Sequence, residues 1–386
     1  MLDIIHILTG AEPAPPSLDS MVKLYLEKTK FDFENAIWWA ANYLPEGSAQ
    51  KAAEMYESLP DQVRVHLLLS PAMYEHLHTF RGEGTSVSRE EAFARLTAMV
   101  SDELSIVRGE PASPLTDAKE FWSSMGDVGL RRSEDGGWTR VDAPRLDSIV
   151  VLDFDSPYAR MLRPQSSTMR LPPEDFTPEE RASVLGKCEE AFAYISRVSP
   201  TFAHLIRNYT RAVRFRKADK MQGISSEHVT STIGEIRLLN MQKSAVELPK
   251  VVEQLIHESV HNMLSTYEYT QEAFLHTADT KQHRPTSLWT GNPLPIASFT
   301  HAIFVWFSLF NFALLESKQP NLSDEQMRAI NERRNRYACG FVGPTRLSDY
   351  IRTDITFSST LFPAIDIAQD TVIQNLMQIA PEAAIA

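Results

Sequence analysis

The chain has 386 residues, with 38 Lys and Arg against 50 Asp and Glu for a net charge of −12. That length allows one large domain or two to three smaller ones, and 43% hydrophobic with 23% charged residues excludes a disordered or fibrous chain. The acidic balance argues against nucleic acid or an anionic membrane as partner. The only two cysteines, Cys188 and Cys339, exclude a disulfide framework and a cysteine-rich zinc site. Met1–Ala14 lacks a basic segment and carries Asp3 and Glu12, unlike a signal peptide, so a cytoplasmic, reducing location is expected.

Apolar Met21, Leu24 and Tyr25, then Ala36, Ile37 and Ala40, recur at helical spacing and predict helix over residues 19–60, divided at Pro45–Gly47. Helical patterning continues to Val107, with Ser88 ahead of Glu90 and Glu91 as a start signal. Residues 109–165 change character. Trp138–Val141 and Ile149–Phe154 predict strands, with Glu134–Gly137 as a turn before the first. Pro172–Pro173 mark a linker, and Thr177 with Glu179 and Glu180 opens a helical run through about Phe215. Val213–Arg216 and Gly234–Leu239 predict further strands, and helix dominates from Ala245. The expected fold is α+β and predominantly α-helical, with a few short strands. Its expected parts are a helical region 1–108, a strand-containing insert 109–170 and a third domain 171–386.

No charged residue occurs between Pro285 and Leu315, and Ile296–Leu315 is long enough to cross a bilayer. No Lys/Arg cluster and no second apolar span accompany it. A helix buried in a protein core is therefore expected, with Phe304, Trp306, Phe307 and Phe310 in that core and no membrane partner.

The chemically informative residues are His257, Glu258, Ser259, Val260 and His261, an H-E-x-x-H motif. Val252, Leu255, Ile256, Met263 and Leu264 around it form an apolar arc, so the motif lies on an amphipathic helix. On that helix His257 and His261 stand about 40° apart and one turn from each other, which lets two imidazoles hold one divalent cation. Glu258 points about 100° from His257 and serves as an orienting group or proton acceptor. For a third ligand, the position six residues beyond His261 is Tyr267, which breaks the extended three-histidine pattern. Glu268 and Glu272 follow too closely to fold back on a metal, Glu316 stays open, and His301 in the uncharged helix is the better candidate.

Three segments together, SSEHVTSTIGEIRLL, VVEQLIHESVHNML and SLWTGNPLPIASFTHAIFV, resemble the HExxH-motif peptide-modification proteins. That group includes iron- and 2-oxoglutarate-dependent peptide β-hydroxylases of natural-product pathways. The resemblance covers residues 190–312, with Ser287, Pro293, Pro295, His301 and Ala302 keeping their places in the family's loop and following helix. It implies Fe(II) held by His257, His261 and His301, with 2-oxoglutarate as co-substrate. The family's two loop arginines fall on Thr290 and Leu294, and its aspartate on Asn292. A dicarboxylate needs a cationic anchor, and Arg284, Arg346 and Arg352 are the nearest replacements in sequence.

Two enzymatic readings follow. The first is a non-haem Fe(II)/2-oxoglutarate-dependent oxygenase that hydroxylates an amino acid, a carrier-bound intermediate or a peptide. The second is a Zn(II) metallohydrolase with Glu258 as general base, the commoner meaning of H-E-x-x-H. A structural metal staple is a third reading, which an open three-ligand site disfavours.

Overall fold

The computed structural model describes residues 1–10, 12–82, 87–112, 118–275, 284–351 and 357–379. Six helices come first: α1 (Leu2–Leu8), α2 (Ser17–Tyr43), α3 (Ser48–Glu57), α4 (Asp61–Leu69), α5 (Pro71–Phe80) and α6 (Arg89–Arg108). Five strands follow, β1 (Glu120–Trp122), β2 (Val128–Arg132), β3 (Trp138–Asp142), β4 (Arg145–Leu146) and β5 (Val150–Asp153). Next come α7 (Pro157–Arg160), α8 (Pro178–Val198), α9 (Pro200–Tyr209), β6 (Ala212–Arg216), β7 (Ser225–Glu227) and β8 (Glu235–Leu239). Helices α10 (Leu248–Thr270), α11 (Ile296–Ser317), α12 (Asp324–Ala338), α13 (Leu347–Ile351) and α14 (Leu361–Ile379) follow among the described residues. The fold is α+β and mostly helical, with its short strands in two small sheets.

The start signals act as their chemistry dictates. The Ser88 hydroxyl accepts the Glu91 N–H at 3.2 Å and caps α6. Thr177 and Glu180 cap each other's backbone N–H at the head of α8, at 2.8 and 3.2 Å. The left-handed Gly47, at φ 85°, sits in the break that separates α2 from α3.

The chain forms two compact units, each built from non-contiguous segments. One unit holds residues 22–190 and 207–251. Its helical core packs Phe33, Ala36 and Ala40 of α2 with Leu67, Leu77, Phe93, Leu96 and Val100 from α4 to α6. It also holds both sheets: an antiparallel meander β1-β2-β3 and a five-stranded sheet in the order β4-β5-β6-β8-β7. Strands β5, β6 and β8 are parallel, and β4 and β7 are antiparallel edges. The register places Asp153, Arg214, Arg237 and Glu227 side by side across four strands. Arg214 bonds Asp153 at 2.5 Å, and Glu235 receives Arg237 at 2.5 Å, all four side chains being buried. Removing one partner of such a pair typically costs about 3–5 kcal/mol, because a buried charge is left behind.

The other unit holds residues 1–21, 191–206 and 252–386, and contains the H-E-x-x-H motif. Its centre is α11, which packs on α1, α12 and α14. This helix is long and apolar enough to cross a membrane, yet 78% of its most apolar window is buried within the fold. Phe304, Phe307 and Phe310 are fully buried as expected. Trp306 is not: it stays partly exposed and faces α10.

Candidate metal centre

Helix α10 buries Leu255, Ile256, Val260, Met263 and Leu264 completely, which fixes its rotation. The stripe at the edge of this face, Glu253, His257, His261 and Glu268, is less buried. Steps of four, four and seven residues keep this stripe within about 80° of arc. Donor atoms of His257, Glu258 and His261 lie within 4.8 Å of one another. The two imidazoles have centroids 5.0 Å apart, and a Glu258 carboxylate oxygen stands 4.0 Å from His257 Nε2. Glu258 is only 3% exposed, so its carboxylate is held in place beside both rings.

Helix α11 supplies His301, 5% exposed, whose Nδ1 is 3.3 Å from His261 Nδ1. Its ring lies nearly parallel to the His261 ring, with centroids 5.5 Å apart. His301 Nε2 is 2.7 Å from a Glu268 carboxylate oxygen. A carboxylate only accepts, so Nε2 carries a proton, and Nδ1 is the ring nitrogen turned toward His261. The other Glu268 oxygen accepts the Phe274 N–H at 3.1 Å, and the Phe274 ring stands edge-on to His301. Burial opposes charge on Glu268, but His301 and the Phe274 N–H outweigh it and hold the carboxyl below its ordinary range.

His257, Glu258 and His261 fit a divalent cation, and His301 stands beside His261. Imidazole nitrogen and carboxylate oxygen are the common donors to iron and zinc. Two nitrogens bound to one tetrahedral ion at about 2.0–2.1 Å stand about 3.3 Å apart. The His261–His301 pair has that separation. The carboxylate behind His301 matches the usual arrangement around a metal-bound histidine.

Beside the histidines is an aromatic wall. The His257 ring meets Trp306 edge to face, with centroids 6.1 Å apart. Trp306 stacks on Trp289 at 5.9 Å and 10°, and packs on Tyr337 at 5.7 Å. Trp289 lies on the loop 284–295. The Ser287 hydroxyl accepts the N–H groups of Trp289 and Thr290 at 3.3 and 3.2 Å, and Trp289 Nε1 donates to the Tyr337 carbonyl at 2.8 Å. Gly340 lies under the indole, where a Cβ would fall 2.3 Å from the ring. One turn before His257, Glu253 accepts from Tyr337 Oη at 2.7 Å and from Arg336.

The sequence candidates fare unequally. His257, Glu258 and His261 come together, and His301 adjoins them through His261. Glu268, set aside above as too near the motif, stays on α10 and reaches His301 instead of folding back. Glu316 is taken up by Tyr194 Oη at 2.6 Å and by Arg333, whose Nη2 is 2.7 Å from both carboxylate oxygens. Arg346 is tied to Asp370 in a half-exposed surface pair, which leaves it poorly suited to anchor a buried carboxylate. Arg284 is exposed at the start of the loop, and Arg352 lies outside the described residues. The missed residues are Glu268, Trp289 and Trp306. The seven-residue step from His261 to Glu268 is a signal that would have found the first. A scan against protein-family models and a search of curated proteins both return no match to this chain.

Proposed function

We propose that the chain is a mononuclear metal enzyme, and that its chemistry is Fe(II)- and 2-oxoglutarate-dependent hydroxylation of an amino acid, carrier-bound or peptide substrate. The observation that supports the metal reading is the clustering of the His257, Glu258 and His261 donor atoms within 4.8 Å, with His301, held by Glu268 at 2.7 Å, beside His261. The choice of oxygenation rests on the three-segment resemblance. His257, His261 and His301 would hold the ion, and Glu268 fixes the tautomer and angle of His301. Bound there, Fe(II) with 2-oxoglutarate would supply O₂ activation coupled to decarboxylation, giving succinate and a hydroxylated substrate. Glu258, buried beside the ligands, orients neighbouring groups or holds a proton. Trp306 and Trp289 offer a flat apolar surface against which a substrate side chain is positioned, and they limit water on that side.

A specific observation favours a second reading, zinc hydrolysis: the 3%-exposed Glu258 carboxylate stands among the donor atoms, where a general base for a metal-bound water belongs. One set of measurements separates the two. Adding 2-oxoglutarate to the anaerobic Fe(II)-loaded protein should produce a visible charge-transfer band, and O₂ should then release succinate. No band and no succinate, with Zn(II)-supported peptide cleavage lost in Glu258→Gln, would replace the oxygenase by the hydrolase.

A further inference from the structure

The five-helix core containing α2 leaves one face of that helix open. Leu24, Phe31 and Trp38 stand on it at successive seven-residue intervals, 37%, 57% and 65% exposed. Seven residues are nearly two turns, so the three side chains line one stripe. Exposed large apolar side chains scattered singly need no explanation, but three in one heptad stripe form a patch. Along one flank run Lys23, Glu27, Lys30 and Glu34, all exposed. Their internal contacts are long, 3.9 Å for Lys23–Glu27 and 3.8 Å for Lys30–Glu34, and hold little energy. The other flank carries Lys28, Asn35 and Asn42.

We propose that this face of α2 is a two-fold interface with a second copy of the chain, the two α2 helices crossing antiparallel. The argument is charge complementarity. Read backwards, the row Lys-Glu-Lys-Glu changes sign at every position, and antiparallel packing sets a flank against the same flank of its partner. Centring the two-fold between Lys28 and Thr29 puts Lys23 opposite Glu34 of the second copy, and Glu27 opposite Lys30, each pair occurring twice. The same centring seats Leu24 between the Phe31 and Trp38 levels of the second copy, so the apolar side chains interdigitate. A parallel pair would instead set the charged row against Lys28, Asn35 and Asn42, which include no acid. The contact is one helix face, about 30 Å long. Such an interface is small and gives a reversible dimer.

Sedimentation of the full chain across the micromolar range should therefore show mass rising with concentration from 43.6 kDa toward twice that value. Phe31→Glu and Trp38→Glu, both at exposed positions, should keep the circular dichroism of the native chain and abolish the dimer. Lys30→Glu alone and Glu27→Lys alone each set like charges opposite one another twice, and should weaken self-association roughly ten-fold. Mixed in equal amounts, these two variants should recover it as a heterodimer, because each then meets its opposite. A monomer throughout the range overturns the proposal, as does a dimer indifferent to Phe31→Glu and Trp38→Glu or a mixture no stronger than its components. Binding of the monomeric chain to lipid vesicles, lost in Phe31→Glu, would assign the stripe to a membrane surface and overturn it equally.

Discussion

Replacing Glu268 tests whether His301 is a ligand. The wild-type carboxylate fixes the ring by a 2.7 Å charge-assisted bond, with His301 5% exposed and little room to turn. Glu268→Gln keeps the shape and one acceptor but removes the charge, while Glu268→Ala frees Nε2 and the ring's orientation. Losing such a partner typically lowers metal affinity by about 10–100-fold, or about 1.4–2.7 kcal/mol. Glutamine belongs at the lower end and alanine at the upper end, because the amide oxygen still accepts the Nε2 proton. The assay is competition with a coloured chelator for Co(II), whose ligand-field spectrum reports the coordination number independently of activity. In a His301→Ala background the Glu268→Ala change should cost nothing further, since it acts through the imidazole. Wild-type affinity in both Glu268 variants would refute the positioning role. Unchanged affinity in His301→Ala would remove His301 from the ligand set altogether.

Other perturbations have equally definite outcomes. His257→Ala should abolish stoichiometric metal uptake, because two remaining imidazoles compete poorly with water; retention of one ion per chain by elemental analysis would contradict the ligand set. Gly340→Ala puts a Cβ 2.3 Å from the Trp289 ring, and should cost about 1–3 kcal/mol of stability while shifting tryptophan fluorescence; an unaltered thermal midpoint would show that the indole is not wedged there. Burial, with Glu103 nearby, pushes the Asp102 carboxyl up to about 7 from 3.8, so its native state favours the protonated form. Between these values the unfolded chain ionises first and native stability falls as pH rises, the full loss being reached above about pH 7. Asp102→Asn should therefore stabilise little near pH 4 and most above about pH 7, by ~1–3 kcal/mol; a gain that does not vary with pH would refute this.

Elements governed by local chemistry were legible in the sequence. Ser88, Thr177 and the break at Pro45–Gly47 mark helix boundaries close to where α6, α8 and α3 begin. The apolar pieces that became β3, β5, β6 and β8 announced themselves by β-branched and aromatic content. Strand β7, Ser225–Glu227, did not: it is a polar edge whose existence depends on pairing with β8, a partner absent from its own sequence signal. Strands β1 and β4 are similarly short, and long-range pairing decides them as it does β2. The site divides along the same line. His257, Glu258 and His261 share one helical turn and so could be read from spacing, whereas Trp306 reads as one more aromatic in an apolar helix. Only the orientation of α11 separates the partly exposed Trp306 from the buried Phe304 and Phe307.

The dependence on two helices explains how the centre gains precision without a dedicated loop. Helix α10 carries His257, Glu258, His261 and Glu268, so the points from which these side chains leave the backbone are fixed relative to one another. Helix α11 carries His301 and Trp306, five residues apart, one facing Glu268 and the other facing His257. Turning α11 by a single residue, about 100°, would withdraw both at once. The fully buried phenylalanines of α11 resist that rotation, each resisting exposure with about 1.5–3 kcal/mol of burial free energy. An apolar helix with one histidine is therefore what this site requires: its hydrophobic surface locks the rotation that points His301 at its partners.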